Sequence, residues 1–555
     1  MDLNWIDLTV FLGFLGIVIA VSLYAGRREQ TSEDYFLAGR KLSWYLIGFS
    51  LIASNISTEH FVGMAGSAFG RLGLAVASFE WTAAITLVFT AWVLLPRFLR
   101  AEIYTMPEFL EYRYDATTRT IMSILVMFAY VFTLLATVLY SGAIAINAIF
   151  DLSGIFQLRL GLAPESAEFW ANTVGIWSIG LIAGAYTIYG GLKAVVWSDL
   201  LQGSALLIGG VIVTVLGFQI LGNGNLFSGI ESFYTANADK LHVVLPWNDP
   251  DVPSLAVFFG GMWIGHLHYW GCNQFITQRT LGAKSLAEGQ RGIMLAALIK
   301  IFIPFIIVFP GIIAYQLFGS EISTPDKAYP YLISQILPPQ LRGIMFAALC
   351  GAVMSTFNSG LNSASTIFTI DIYKKFIKPD ASQKRQVYVG RVMTAAFVLL
   401  ACIWAPIISN FQGVFMYIQE FWGFIAPGIV AAFLVGLVVK TAPAKAAKGA
   451  MLIGLLLYGF ARFGRFLFDL PLLNLLPGSI RDVVASFNNW SLLHHMGIVF
   501  VLVVLYMIWI NYKQPLPEPV EMPNRHKVNT TPEPKVYLMG GIVIGLTVLM
   551  YIIFW

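Results

Sequence analysis

Ser54-Asn55-Ile56-Ser57-Thr58-Glu59-His60 sits in the middle of an apolar run over 44–70, and His266-Leu267-His268-Tyr269-Trp270-Gly271-Cys272-Asn273-Gln274 in the middle of a second run over 255–277. Each run is long enough to cross about 30 Å of hydrocarbon as a helix. Polar, glycine-interrupted backbone survives at that depth only where it is buried in protein or lines a cavity. The two runs are also five spans apart. That spacing predicts two five-helix repeats of inverted topology, each opening with a broken helix, with ligands bound at the unwound points.

Working outward, apolar runs of spanning length occur fourteen times: 5–25, 44–70, 73–98, 119–150, 171–189, 191–221, 255–277, 289–317, 340–373, 387–409, 413–440, 447–468, 491–511 and 537–555. Gly190-Gly191 is the expected hinge that divides 171–221 into two helices. The expected organisation is a peripheral first helix and loop (1–43), a first repeat (44–221), an inverted second repeat (255–440) and C-terminal peripheral helices (441–555). Loops are short except 222–254, 318–339, 469–490 and 512–536, and the Pro-rich stretch Pro515 to Pro534 reads as a linker.

Composition excludes a water-soluble globule. Of 555 residues, 57% are hydrophobic and 12% charged, against about 25% charged in a soluble domain; mean hydropathy is +0.73. The net charge of +4 implies no nucleic-acid partner. Cys272, Cys350 and Cys402 all lie in apolar runs and read as packed free thiols. The first run follows an acidic start without a cleavage site, so it reads as a retained span. If loops alternate sides, those carrying Arg27 to Lys41, Arg97 to Arg119, Lys193, Arg279 to Arg291, Lys374 to Arg391, Lys440 to Lys448 and Lys513 to Lys535 share one face. That face holds about 25 of the 34 basic residues, the asymmetry of a cytoplasmic side. Both termini are then expected outside, in a plasma membrane of bacterial inner-membrane type.

Ionisable groups inside spans are Glu59, His60, Glu80, Asp199, His266, His268, Lys300 and Glu420. Each costs about 2.5 kcal/mol or more in lipid and marks a pathway, a site or a structural pair. A second signal is the small, hydroxyl-rich Cys350-Gly351-Ala352-Val353-Met354-Ser355-Thr356-Phe357-Asn358-Ser359. Hydroxyls facing an unwound helix suit a hard cation such as sodium; the same composition also suits close helix packing. His266-x-His268 lacks the further ligands of a transition-metal site. Phosphate-cradling loops, a Ser-His-Asp order and paired redox cysteines are missing from the sequence.

Four blocks carry a family resemblance: Asn55-Ile56-Ser57-Thr58-Glu59-His60-Phe61-Val62-Gly63-Met64-Ala65-Gly66; Tyr189-Gly190-Gly191-Leu192-Lys193-Ala194-Val195; Gln278-Arg279-Thr280-Leu281-Gly282-Ala283-Lys284-Ser285; and Leu361-Asn362-Ser363-Ala364-Ser365-Thr366-Ile367-Phe368-Thr369-Ile370-Asp371-Ile372-Tyr373. In this order they resemble the sodium/solute symporter family, within it the sodium/glucose (galactose) cotransporter branch, over nearly the whole chain to about residue 445. The resemblance implies an all-α, polytopic membrane protein with a leucine-transporter-like core of five plus five helices, and sodium as the co-transported ion. It implies a sodium site made by the carbonyls of Ala53, Ile56 and Ala352 with the hydroxyls of Ser355 and Thr356. Asp199 with Ser359 is implied as a second sodium site or an exit path, although Asn358 stands where some relatives have threonine.

The implied sugar site is Asn55, His60, Glu80, Lys300 and Gln419, with Tyr269 as inner gate, Trp270 beside it and Phe79 towards the outer side. His60 and His266 depart from the bacterial galactose transporter pattern, which has glutamine and asparagine there. The expected function is sodium-coupled symport of a neutral, glucose- or galactose-like sugar, a transporter and not an enzyme. Myo-inositol, an amino acid or a monocarboxylate is the alternative solute. The expected partners are sodium, a small sugar and the lipid bilayer.

Overall fold

A computed structural model describes residues 5–27, 30–410, 414–464, 478–525 and 527–555. The C-terminal end of the expected span 447–468 and part of the loop 469–490 lie outside them, as does the start of the span 413–440.

Among the described residues the secondary structure is helical, with only isolated bridges and no strand. Among the described residues, eleven helices are long and apolar enough to cross a membrane. One of these, Pro164–Leu221, is 58 residues long and holds two spans, because Gly191 (φ 52°, ψ −149°) interrupts it. Only glycine tolerates that conformation, and a Cβ at Gly191 would lie 2.3 Å from the Tyr35 carbonyl oxygen. The remaining two expected spans, 44–70 and 255–277, are absent from the uninterrupted set because both are broken. With them the fourteen expected spans are accounted for.

The first broken span consists of Trp44–Asn55, a non-helical Ile56 (ψ 107°), a wide turn over Glu59–Met64 and Ala65–Phe69. Asparagine and serine compete with helix through local side-chain bonds and β-branched residues lose side-chain freedom in it, and Ser57 starts the second half. Its hydroxyl accepts from the Glu59 N–H at 3.2 Å and its carbonyl from the His60 N–H at 3.0 Å. The second broken span consists of Ser254–Phe259, Gly261–Leu267, a wide turn over His268–Cys272, and Gln274–Leu281. Its main discontinuity falls at Asn273 (ψ 121°), at the end of the polar stretch instead of its centre, because the Asn273 side chain caps the last segment by accepting from the Phe275 N–H at 3.2 Å.

The two halves repeat one order of elements. After the first break come Gly73–Ala101, the short helix Met106–Arg113, a long helix from Ala116 to Phe150, and the two helices that meet at Gly191. After the second come Leu286–Phe318, the short helix Ala328–Ile336, Pro339–Ile377, a helical run from Gln383 to Asn410, and Val414–Val438. The core is therefore a leucine-transporter-like arrangement of two five-helix repeats. Short helices Leu152–Leu160, Leu226–Ala236 and Gly478–Asn488 were not anticipated from the apolar pattern.

The chain ends mark one face. Asp7 accepts from Arg342 at 2.8 Å at the start of Pro339–Ile377, and the carbonyls of Phe554 and Trp555 accept from the Val243 N–H at 2.8 Å and the His242 ring at 2.6 Å. On the other face the Pro-rich stretch is held down instead of hanging as a free linker. Leu516 and Val520 N–H groups reach Thr441 and Lys440 carbonyls, Arg525 N–H reaches the Arg100 carbonyl, and Leu286 N–H reaches the Asn529 carbonyl.

Several basic residues assigned to loops are buried. Arg279 is fully enclosed, while Arg113 binds the carbonyls of Gly436, Val439 and Ala442 and Arg119 binds Asp371 and Glu111. A charge count alone cannot distinguish a solvated arginine from one that closes helix ends.

Candidate functional site

The eight residues of the implied sugar site and His266 line one cavity of about 100 Å3: Asn55, His60, Phe79, Glu80, Tyr269, Trp270, Lys300 and Gln419, with His266 among them. They come from the first broken span, Ser78–Phe89, the second broken span, Leu286–Phe318 and Val414–Val438. Lys300 is the hub. Its ammonium donates to Glu80 Oε2 at 2.5 Å and to Asn55 Oδ1, and lies 5.1 Å from the centre of the Trp270 ring. Glu80 Oε1 faces His60 Nε2 at 3.4 Å, and the Ser57 N–H donates to His60 Nδ1 at 3.4 Å. The helix break and the charge pair are thereby joined through one imidazole.

Pro304 follows Lys300 by one turn inside Leu286–Phe318 and supplies no N–H to the preceding turn. In that turn the Ile301 carbonyl accepts from Trp81 Nε1 at 3.1 Å, which ties the Lys300 helix to the Glu80 helix.

Tyr269 stands in the cavity wall. Asn55 Nδ2 donates to its hydroxyl at 3.2 Å, and its ring meets Trp270 and Phe275 edge-on at 5.0 and 5.7 Å. The cavity joins a wider vestibule of about 370 Å3 through shared walls at Glu59, Phe79, Gln419, Leu492 and Leu493. The vestibule reaches Arg71, Asp251 and Asp326 on the face that carries both chain ends. Phe79 is thus shared with the vestibule, whereas Tyr269 lines the cavity alone. His266 lines the cavity with Nε2 buried and without a hydrogen-bond partner.

The expected cation ligands adjoin the cavity, which Thr356 also lines. Ala53, Ile56, Ala352, Ser355 and Thr356 are all buried, and the two helices touch where the Thr356 hydroxyl donates to the Ser54 carbonyl at 3.0 Å. A helix end leaves its last carbonyls without intrahelical partners and carries partial negative charge. Oxygen is therefore concentrated at the break.

Asp199 adds a full carboxylate. It accepts from Ser355 at 2.5 Å through Oδ1, and from Ser50 at 2.5 Å and Ser54 at 3.3 Å through Oδ2. Ser359 stands 3.0 Å from Ser54. The two expected cation positions are consequently one continuous hydroxyl network.

Arg279, Ser50 and Ser54 are the members that the sequence reading did not assign. Arg279 donates to Ser50 at 2.6 Å and to Ser359, and lies 3.5 Å from Asp199. The available signal was the i, i+4 spacing of Ser50 and Ser54 ahead of the break. For Arg279, only its place in a motif block singled it out.

The sodium:solute symporter family profile matches residues 35–454. This chain belongs to the sodium:solute symporter family. The symporter is 40% identical over 489 residues to a sodium/glucose cotransporter of Vibrio parahaemolyticus, covering 84% of this chain and 86% of that one. It is 33% identical over 486 residues to sodium/myo-inositol cotransporter 2 of Sus scrofa, covering 81% and 69%. Its fold matches the outward-open structure of a Na+-coupled sialic acid symporter with a TM-score of 0.76, at 21% identity, over 94% of this chain and 100% of that one. The symporter is a multi-pass membrane protein with sodium as its co-transported ion.

Proposed function

We propose that this symporter imports a neutral, glucose- or galactose-like sugar together with sodium by alternating access. The observation that carries the choice is the cavity's internal charge balance. Glu80 and Lys300 pair within it at 2.5 Å, and Glu59 at the rim adds no positive charge in either protonation state. A carboxylate solute would find no ammonium or guanidinium there without a carboxylate partner of its own. A polyol finds acceptors in Glu80 and in the amide oxygens of Asn55 and Gln419, donors in Lys300 and the amide nitrogens, and an aromatic face in Trp270. The relatives named as sodium/glucose and sodium/myo-inositol cotransporters support the same solute class.

In this reading sodium binds the oxygens of Ala53, Ile56, Ala352, Ser355 and Thr356 and orders the broken helix, which holds Asn55 and His60 in place for sugar. Asp199 and Ser359 form a second cation position or the path inward. The sugar enters past Phe79 and leaves when Tyr269 swings aside. The moving units are the repeats 44–221 and 255–440, with 1–43 and 441–555 peripheral, and the basic face and its strap lie in the cytoplasm of a bacterial cell with both termini outside. One sodium ion crossing about 100 mV and a tenfold gradient releases ~3.7 kcal/mol, enough for roughly a 500-fold sugar gradient.

The test is competition in proteoliposomes under an inward sodium gradient. Labelled galactose uptake is expected to fall with excess glucose and to stand unchanged with excess lactate or proline. Inhibition by lactate or proline with none by hexoses overturns the assignment; inhibition by myo-inositol above that by hexoses moves the substrate to a cyclitol.

A further inference from the structure

A groove of about 360 Å3 lies far from the solute cavity, between the end of Trp5–Ala25 and the helix that begins after Gly191. Its walls are Val21, Tyr24, Ala25, Arg27, Lys193 and Trp197. The two helices meet so closely that a Cβ at Gly26 would lie 2.4 Å from the Gly190 Cα. The groove is therefore fixed by backbone contact instead of depending on mobile side chains.

Two cations line this groove and, among the described residues, neither forms an ion pair. The Arg27 guanidinium stacks 3.9 Å from the Tyr24 ring centre. Arg391, which donates to the Tyr189 carbonyl at 3.0 Å, places a third positive charge beside the same turn. The depth is that of a membrane boundary, since one spanning helix ends at Ala25 and another turns at Gly191. Tyr24 is 66% exposed, and Ile17 and Leu23 on the same helix are exposed apolar groups. Basic pockets between spanning helices, flanked by interfacial tyrosine and tryptophan above an apolar stripe, suit a phosphate head with acyl chains beside it.

We propose that this groove binds the headgroup of an anionic phospholipid, with the phosphate on Arg27 and Lys193 and the chains along the exposed face of Trp5–Ala25. Charge complementarity selects an anionic head over a zwitterionic one, and the aromatic and aliphatic surround selects a lipid over a soluble phosphate.

The test is the thermal midpoint of the purified full-length protein in neutral detergent with added phosphatidylglycerol or phosphatidylcholine. Phosphatidylglycerol is expected to raise the midpoint further than phosphatidylcholine. The double variant Arg27→Gln, Lys193→Gln is expected to lose at least half of that difference, and Arg27→Lys, Lys193→Arg to keep it. A Lys374→Gln, Lys378→Gln control on the same face is expected to keep it as well. The proposal is overturned if the glutamine pair retains the full difference, if the control pair loses as much, or if glycerophosphate or inorganic phosphate alone reproduces the rise.

Discussion

The Lys300 ammonium lies 2.5 Å from Glu80 Oε2, and both side chains are almost fully buried. Removing one member of a buried pair strands the other charge, at a cost of about 3–5 kcal/mol, whereas removing both is far milder. Glu80→Gln is therefore expected to lower the thermal midpoint of the purified protein more than Glu80→Gln combined with Lys300→Met. Both variants are expected to lose sugar uptake. Equal destabilisation by the single and double changes would show that the two charges are not energetically coupled.

Gln419 stands where the cavity joins the vestibule, on a different helix from the charge pair. If its amide bonds a sugar hydroxyl, Gln419→Ala removes about 1–1.5 kcal/mol, or a five- to tenfold rise in the half-saturating sugar concentration. The maximal rate is expected to change little. Wild-type sugar affinity in this variant would remove Gln419 from the site.

Sodium dependence tests the helix break. Ser355→Ala with Thr356→Val deletes two hydroxyls, one bonded to Asp199 and one to the Ser54 carbonyl at the break. Bonds to a charged partner are worth about 1.5–3 kcal/mol each, so losing both costs about 3 kcal/mol or more and half-maximal uptake is expected to need roughly a hundredfold more sodium or higher still. Unchanged sodium dependence would place the ion elsewhere.

Much of this arrangement was legible in the sequence because lipid permits so few exceptions. Asn55, Glu59 and His60 declare themselves as polar residues at membrane depth, and Gly190-Gly191 punctuates a run too long to be one span. What the pattern could not give was the exact position of the second break. Cys272 and Asn273 look no different from their neighbours until Asn273 is seen to cap the following helix. Arg279 was illegible for a different reason. An arginine near the end of an apolar run is written the same way whether it meets water or folds back onto Asp199 and Ser359, and only the tertiary contact decides.

The proposed gate, Tyr269, has a ring and a hydroxyl that two substitutions separate. Its hydroxyl accepts from Asn55 at 3.2 Å while its ring packs edge-on against Trp270 and Phe275 in the cavity wall. Tyr269→Phe, which keeps the ring, is expected to retain concentrative uptake with weakened sugar affinity. Tyr269→Ala, which removes it, is expected to let sugar equilibrate without accumulating. Full accumulation by the alanine variant in vesicles would remove this side chain as the gate.

The central claim is that an ion held at the broken helix drives an uncharged solute through the neighbouring cavity. Its most direct test is the internal galactose concentration reached by purified protein in sealed vesicles, with inward sodium or with choline in its place. Accumulation above the external concentration with sodium, and simple equilibration or less with choline, is the predicted result. Equal accumulation in choline, or none under any sodium gradient for hexose or cyclitol, would contradict the account.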